Sequence, residues 1–416
     1  MKNLLILSYY YPPLGLSGVQ RTVKFVKYLP QFGWNPMIIT PHPRGSYVYD
    51  PSLSEEVKQA RVFPTFSLDP LYFLPSKRRP SLTNSPELGS SINRWFIPDN
   101  KLGWVPFAVK AALQASRLNN IDAIYSTAPP YSSHLAAVFL KKLLQKPLVT
   151  DFRDAWTDYT WASHPTPFHH HVDLGLEAWV LKNSDAVIAV NDEIINGLRR
   201  AHPNVAPGKF RLISHGYDPA DFAVEARTGG ENFRIAYAGT FIKNRSPMPL
   251  LEALKILQDQ NPILLDKLKI SFVGTFRPGD AALVAGSGFA DKIDFWGYLP
   301  HRESVSVLMQ ANLLWLVMGP EETANVTPGK LFEYLGAQKP ILASIPKGAA
   351  QDIIKEAGAG QCFSPDDHTQ SAAFLVSQIK AWQQGKSIDT IRPERLKKYD
   401  RCLITKDLSG LLNQLC

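Results

Sequence analysis

Leu4-Leu5-Ile6-Leu7-Ser8, then Tyr9-Tyr10-Tyr11-Pro12-Pro13-Leu14-Gly15-Leu16-Ser17-Gly18, then a run to Phe32 in which Val19, Val23, Val26 and Leu29 recur: this opening decides the fold. The first piece is a short apolar run of buried-strand length, the second a Pro- and Gly-rich loop, and the third has the spacing of a helix. Arg21, Lys24 and Lys27 fall on its other faces. Gly33 ends the helix and Met37–Thr40 reads as a second strand. A strand, a helix and a strand in that order are the seed of a parallel sheet.

Working outward, residues 43–104 carry many Pro, Ser and aromatic residues and little periodicity. They read as an irregular excursion with a mobile portion around residues 77–91. The alternation then resumes, with helices expected at 108–117, 132–144, 174–183 and 192–200 and strands at 123–126, 148–151, 186–190 and 210–213. Residues 219–232 are polar, contain Gly229-Gly230 and have no period, so the linker is placed there. A second alternating series follows, with strands at 234–238, 269–273, 293–295, 313–317 and 340–343. Helices are expected at 247–259, 281–288, 304–310, 329–337, 351–356 and 370–384, with a helical tail. The expected division is an N-terminal Rossmann-like domain over 1–218, a C-terminal one over 233–392, and a tail over 393–416 packing back on the first. Two doubly wound α/β halves joined by one linker would face each other across a cleft. Open parallel sheets bind ligands beyond the carboxyl ends of their strands.

Composition limits the partners. The chain has 416 residues, 45% of them apolar, and a net charge of +8. No Lys/Arg block exceeds Lys77-Arg78-Arg79, and aromatic and basic residues do not interleave as in nucleic-acid binders, so no nucleic-acid partner is expected. The charge suits either a mildly basic soluble surface or an anionic lipid surface. Three cysteines, Cys362, Cys402 and Cys416, fit no metal site or disulfide framework and indicate a reducing compartment. No segment approaches the ~20 apolar residues needed to span a bilayer. The expected location is therefore cytoplasmic, with any membrane contact peripheral.

Five segments carry candidate chemistry, each after an expected strand. In the first loop, Gly15 and Gly18 let a ligand approach the backbone, and the helix start favours an anion; the alternative is a plain tight connection. In Ser126-Thr127-Ala128-Pro129-Pro130-Tyr131-Ser132-Ser133-His134, His134 sits in a first helical turn, either reactive or structural. Asp151-Phe152-Arg153-Asp154 places three charges after an apolar strand, either as site residues or as an Arg–Asp pair fixing the loop. Gly239-Thr240 opens a loop whose Lys243 and Arg245 suit a diphosphate, or are simply solvated. In Asn325-Val326-Thr327-Pro328-Gly329-Lys330-Leu331-Phe332-Glu333, Lys330 and Glu333 share a helical face near its start. A carboxylate there can accept from two ribose hydroxyls and a lysine can meet a phosphate; a surface ion pair is the plainer reading. The consecutive His169-His170-His171 point in different directions on a helix and form no metal site.

Together, Tyr10-Tyr11-Pro12-Pro13 with Gly15 and Arg21, Pro129-Pro130 with His134, Asp151–Trp156, His215-Gly216-Tyr217-Asp218, Gly239-Thr240 and Pro328–Tyr334 resemble the retaining glycosyltransferases of family 4, which have the GT-B fold. The resemblance covers nearly the whole chain in order. It implies that the second domain holds a nucleotide-diphosphate sugar as substrate, with no separate cofactor. The first domain would hold the hydroxyl acceptor, a glycan or lipid-linked molecule. It further implies that Gly15, Gly18, Gly239, Thr240, Lys243, Arg245, Asn325, Thr327, Lys330 and Glu333 line the donor site, and that His134, Arg153 and Asp154 lie at the reacting sugar. No acidic pair stands where this fold would need a metal, so metal-independent transfer in polysaccharide or glycolipid assembly is expected.

Two positions depart from that pattern. Glu333 matches the second glutamate of the family's E-x7-E motif, but the first falls at Asn325, with Glu321 and Glu322 close by in a different register. The arginine that often follows the glycine of the phosphate loop is Thr240, and Lys330 could supply the missing charge. The rival readings are a nucleotide-sugar epimerase of the same fold and a GT-B subunit without catalytic activity.

Overall fold

Leu4, Leu5, Ile6 and Leu7 are wholly buried in the computed structural model, as a parallel strand covered on both faces must be. Their side chains alternate. Leu5 and Leu7 join one core with Met37 and Ile39, while Leu4 and Ile6 join another with Ile38 and Tyr125. The described residues are 1–15, 17–43, 49–69, 95–158, 164–223, 230–241, 244–322, 324–386 and 391–416. Lys243 and the whole expected mobile stretch over 77–91, residues 77–79 included, lie outside them.

The chain divides into two compact units, Met1–His215 with Arg401–Cys416, and Gly216–Asp400. The strands of the first are β1 (Lys2–Leu7), β2 (Trp34–Pro41), β3 (Arg61–Thr65), β4 (Ala123–Ala128), β5 (Leu148–Phe152), β6 (Ala186–Ala189) and β7 (Phe210–Leu212). They form one sheet in the order β3-β2-β1-β4-β5-β6-β7, with every pairing parallel. The strands of the second are β8 (Phe233–Ala238), β9 (Leu268–Val273), β10 (Ile293–Gly297), β11 (Leu313–Val317), β12 (Ile341–Ser344) and β13 (Gly360–Phe363). Their order, β10-β9-β8-β11-β12-β13, repeats the first, again all parallel. Both units are thus Rossmann-like sheets. In each, strand order reverses at one place, between β1 and β4 and between β8 and β11, which is where open α/β sheets bind ligands.

The described parts of the excursion over 43–104 are more ordered than their composition suggests. Asp50 caps a short helix, Pro51–Glu56, accepting from Ser52 N at 3.0 Å, and β3 follows as an edge strand. β13 was likewise not expected. Both edges are largely exposed or only partly buried, so neither shows the continuous apolar run of a central strand. Pro64 is tolerated in β3 because it pairs on one side only. The tail divides between the units. The helix Pro393–Leu396 belongs to the second, and Arg401–Leu415 packs Ile404, Leu408 and Leu412 into the β1 core of the first.

One buried ion pair ties the first unit together beneath its switch point. Asp151, at the end of β5, is fully buried and accepts from Arg21 at 2.7 Å (Nε) and 3.1 Å (Nη2). Tyr125 and Thr127 of β4 donate to the same carboxylate. The remaining Arg21 donors reach the carbonyls of Ser214 at 2.6 Å and Ile213 at 2.8 Å, beyond β7. Removing one partner strands a buried charge. Arg21→Leu is expected to cost about 3–5 kcal/mol in chemical unfolding, and Arg21→Leu with Asp151→Leu to recover much of it. A single variant as stable as the parent would show that the pair does not hold the fold.

Candidate functional site

In the second unit the site residues gather where β8 and β11 part. The two strands pair only at Leu313–Ile235 and Leu314–Ala236. Beyond that the Tyr334 hydroxyl fills the gap, accepting from Ala238 N at 2.9 Å and donating to the Trp315 carbonyl at 3.1 Å. The opening is therefore wedged by a side chain of the very helix, Gly329–Ala337, that carries Lys330 and Glu333.

Gly239 follows β8 at φ +132°, and a Cβ there would collide with the Lys330 ammonium. Gly274, beside it after β9, likewise has no room for a Cβ because of the Gly239 carbonyl. The lysine lies over the Tyr237 ring, 3.9 Å from its centroid, and donates to the Tyr237 hydroxyl at 2.6 Å. That hydroxyl in turn donates to the Thr240 carbonyl at 3.2 Å. Tyr237 stacks on Phe241 at 4.6 Å and packs against Phe272 and Trp315. Burial in these surroundings, with Arg245 adding to it, pushes the Lys330 ammonium well below the usual lysine range, against the opposing pull of Glu333 and Glu322. Among the described residues Lys330 has no carboxylate within ion-pair distance.

Arg245 is held otherwise. Glu322 grips it with two bonds of 2.6 Å and also accepts from Gly319 N at 2.8 Å. Its neighbour Asn244 donates to Glu321 at 2.8 Å. The two glutamates that stand near the missing motif position thus lock the loop after β11 to the loop after β8. Asn325 is buried, and Thr327 and Glu333 are partly buried. Glu333 Oε1 lies 3.4 Å from His301 Nε2, and His301 Nδ1 lies 4.0 Å from Asp221. Sequence reasoning missed Tyr237, an apolar-strand residue by pattern, and His301, which opens the helix His301–Gln310.

In the first unit the residues meet at the ends of β1, β4 and β5. Arg153 donates to the carbonyls of Ala128 at 3.0 Å, Pro129 at 2.6 Å and Gly18. It staples the turn after β4 to the first turn of the helix Ser17–Tyr28, and a Cβ on Gly18 would come within 2.7 Å of it. The pair anticipated in this loop is therefore Asp151 with Arg21, while Arg153 binds backbone. Gly15 lies in the loop after β1 and is partly buried. Asp154 is also partly buried, and burial raises its carboxyl despite Arg153.

His134 is fully buried in the first turn of the helix Ser132–Leu144. Its Nδ1 lies 2.8 Å from Ser126 Oγ, its ring is 4.7 Å from Phe152, and its Nε2 has no hydrogen-bond partner among the described residues. Asp99 orders this helix start, accepting from Ser132 N at 3.0 Å and Ser132 Oγ at 2.7 Å. Asp99, too, went unrecognised in the sequence.

Residues 16–221 match the family Glycosyltransferase Family 4. No curated protein matches the chain by sequence. Among solved structures it is similar to HepE of Anabaena, determined in complex with UDP and glucose, with 14% identity, a TM-score of 0.68 and 100% of each chain covered. It is also similar to sucrose-phosphate synthase of Thermosynechococcus elongatus, with 16% identity, a TM-score of 0.70, and 100% and 99% covered. A third likeness is a UDP-N-acetylglucosamine 2-epimerase, so described, of Listeria monocytogenes, with 12% identity, a TM-score of 0.60, and 100% and 96% covered. At these identities the structural likeness establishes the GT-B fold.

Burial pushes the His134 imidazole from 6.5 down to about 3. The folded protein thus keeps it neutral where the unfolded chain takes a proton. The unfolded state binds more protons between those values, so stability rises with pH across the window and is lost as pH falls through it. His134→Asn, which can still bond Ser126, is expected to flatten the fall of Tm on acidification through that window. An unchanged slope in Tm against pH would remove His134 from the acid response.

Proposed function

For a glycosyltransferase whose first unit carries the family 4 domain, we propose that the second unit binds a nucleotide-diphosphate sugar at the β8–β11 opening. The observation that carries this reading is the Lys330 ammonium, set at a helix N-terminus and packed into the space that the missing Gly239 side chain leaves, with no carboxylate to neutralise it among the described residues. A diphosphate supplies the missing negative charge and so favours the protonated form of the lysine, against the burial that disfavours it. The helix start adds a favourable dipole. Glu333, one turn along, accepts from the two ribose hydroxyls. HepE, of the same fold, was crystallised with UDP and glucose, which favours a uridine nucleotide as the first probe.

Transfer then runs as follows. The bond from the anomeric carbon to the diphosphate breaks as the acceptor oxygen bonds to the same carbon on the same face, with retained configuration. The acceptor proton leaves to an oxygen of the departing diphosphate, whose growing charge Lys330 offsets. Arg245, already neutralised by Glu322, shapes the loop and adds little net charge of its own. The acceptor, a glycan or lipid-linked hydroxyl, is assigned to the first unit near Gly15, while His134 is fully buried and stands behind that surface. Catalysis needs no metal in this scheme. Polysaccharide or glycolipid assembly is the role it suits.

An epimerase shares this fold, and product analysis separates the two: a new glycosidic bond against an isomerised donor. Calorimetry with UDP tests the site itself. Glu333→Ala is expected to weaken binding by about 10- to 100-fold, the loss of hydrogen bonds to a charged acceptor, with Tm nearly unchanged. Equal affinity in parent and variant would move the ribose elsewhere. Turnover abolished by excess chelator would end the metal-free scheme.

A further inference from the structure

We propose that the outer face of the helices Val105–Leu118 and Ser132–Leu144 docks the first unit on an anionic lipid surface. Neither helix contains an acidic residue. They pack side by side and leave between them a groove of about 580 Å³ lined by Val105, Val109, Leu113, Phe139 and Leu143, with Lys110 and Arg117 on its rim. Large apolar side chains stand out from this face. In the groove lining Leu143 is 59% exposed and Phe139 47%, and Leu118 ends the first helix 80% exposed.

The cations are available. Lys110 and Arg117 make no ion pair among the described residues, and exposed Lys142 rests only over the Trp179 ring, 5.1 Å from its centroid. Lys141 differs, being held by Asp185 at 2.6 Å. Apolar side chains flanked by unneutralised cations, with no acidic residue among them, match the two terms of interfacial binding: burial in the acyl boundary and attraction to anionic headgroups.

Both helices run opposite to the parallel strands. Their C-terminal turns, with Arg117, Leu118, Lys142 and Leu143, therefore lie at the end away from the carboxyl-end loops. Docking there leaves those loops open to an acceptor. The inference does not depend on the nucleotide reading and stands or falls apart from it.

Sedimentation with vesicles tests it, using phosphatidylcholine alone and phosphatidylcholine mixed equally with phosphatidylglycerol. The protein is expected to pellet with the mixed vesicles only. Lys110→Gln with Arg117→Gln should weaken this by about thirtyfold, at roughly a tenfold factor or less per basic residue. Phe139→Ser with Leu143→Ser should weaken it comparably, with the Tm of both variants near that of the parent because the sites are exposed. Failure to bind the mixed vesicles, equal binding to both kinds, or undiminished binding by both variants would overturn the proposal. So would a dimer in sedimentation velocity that Phe139→Ser with Leu143→Ser dissolves, since that would give the face to a second copy of the chain.

Discussion

Asp151 has no access to solvent, and the first unit is arranged around keeping its carboxylate satisfied. Arg21 reaches it from the helix after β1, Tyr125 and Thr127 reach it from β4, and the spare Arg21 donors hold the segment after β7. A single charge pair thus fixes the register of four separate pieces of chain at the place where strand order reverses. A buried ion pair of this kind contributes little to stability over an apolar replacement, because desolvation offsets most of its attraction. What it gives is a defined arrangement. Arg153 extends that arrangement outward by binding three carbonyls, two from the turn after β4 and one from the first helical turn after β1.

The second unit solves the same topological problem with aromatic and hydroxyl groups. Tyr334 bridges the parted strands, and Tyr237 holds both the Thr240 carbonyl and Lys330. The paired contacts Asn244–Glu321 and Arg245–Glu322 then join the loops on the two sides of the opening. These groups are consumed in holding shape. Lys330 differs, since its partner is a neutral phenol and its surroundings disfavour its charge. That is the condition in which an arriving anion gains most, because it supplies the charge the protein withholds.

The sheets were legible in the sequence wherever strands are central. A parallel strand buried on both faces is mostly apolar, as Leu4–Leu7 and Leu313–Val317 are, and in β4 and β5 the buried polar residues Ser126, Thr127, Thr150 and Asp151 stand toward the carboxyl ends. β3 and β13 escaped notice for the converse reason: as edges they are only partly buried, and Pro64 and Gly360 break what pattern they have. The site was legible as positions but not as partners. Pattern alone places Arg153, Arg245 and His134 at strand ends. It does not say that Arg245 meets Glu322, that Asp151 meets Arg21 across 130 residues of chain, or that His134 is sealed beneath Phe152. Tyr237 was hidden because an aromatic residue near the end of a buried strand has the same signature whether it packs a core or carries a lysine.

These partners change what the departures at Asn325 and Thr240 mean. Read as a pattern, the chain lacks a carboxylate and a cation at two positions of a familiar motif. In the folded unit, Glu322 stands three residues before Asn325 but is turned to Arg245 and Gly319, so it is already committed to the loop. The cation absent at Thr240 has a counterpart in Lys330, whose ammonium occupies the space a Cβ on Gly239 would fill and is tied through Tyr237 to the Thr240 carbonyl itself. The charge is thus present at the right backbone position but delivered from the opposite wall. Asn325 has no such replacement. A neutral amide there offers both donors and acceptors where a carboxylate only accepts. The two departures are therefore unequal: one is compensated by geometry, and the other, in the proposed donor site, would alter which hydroxyls the sugar end can satisfy.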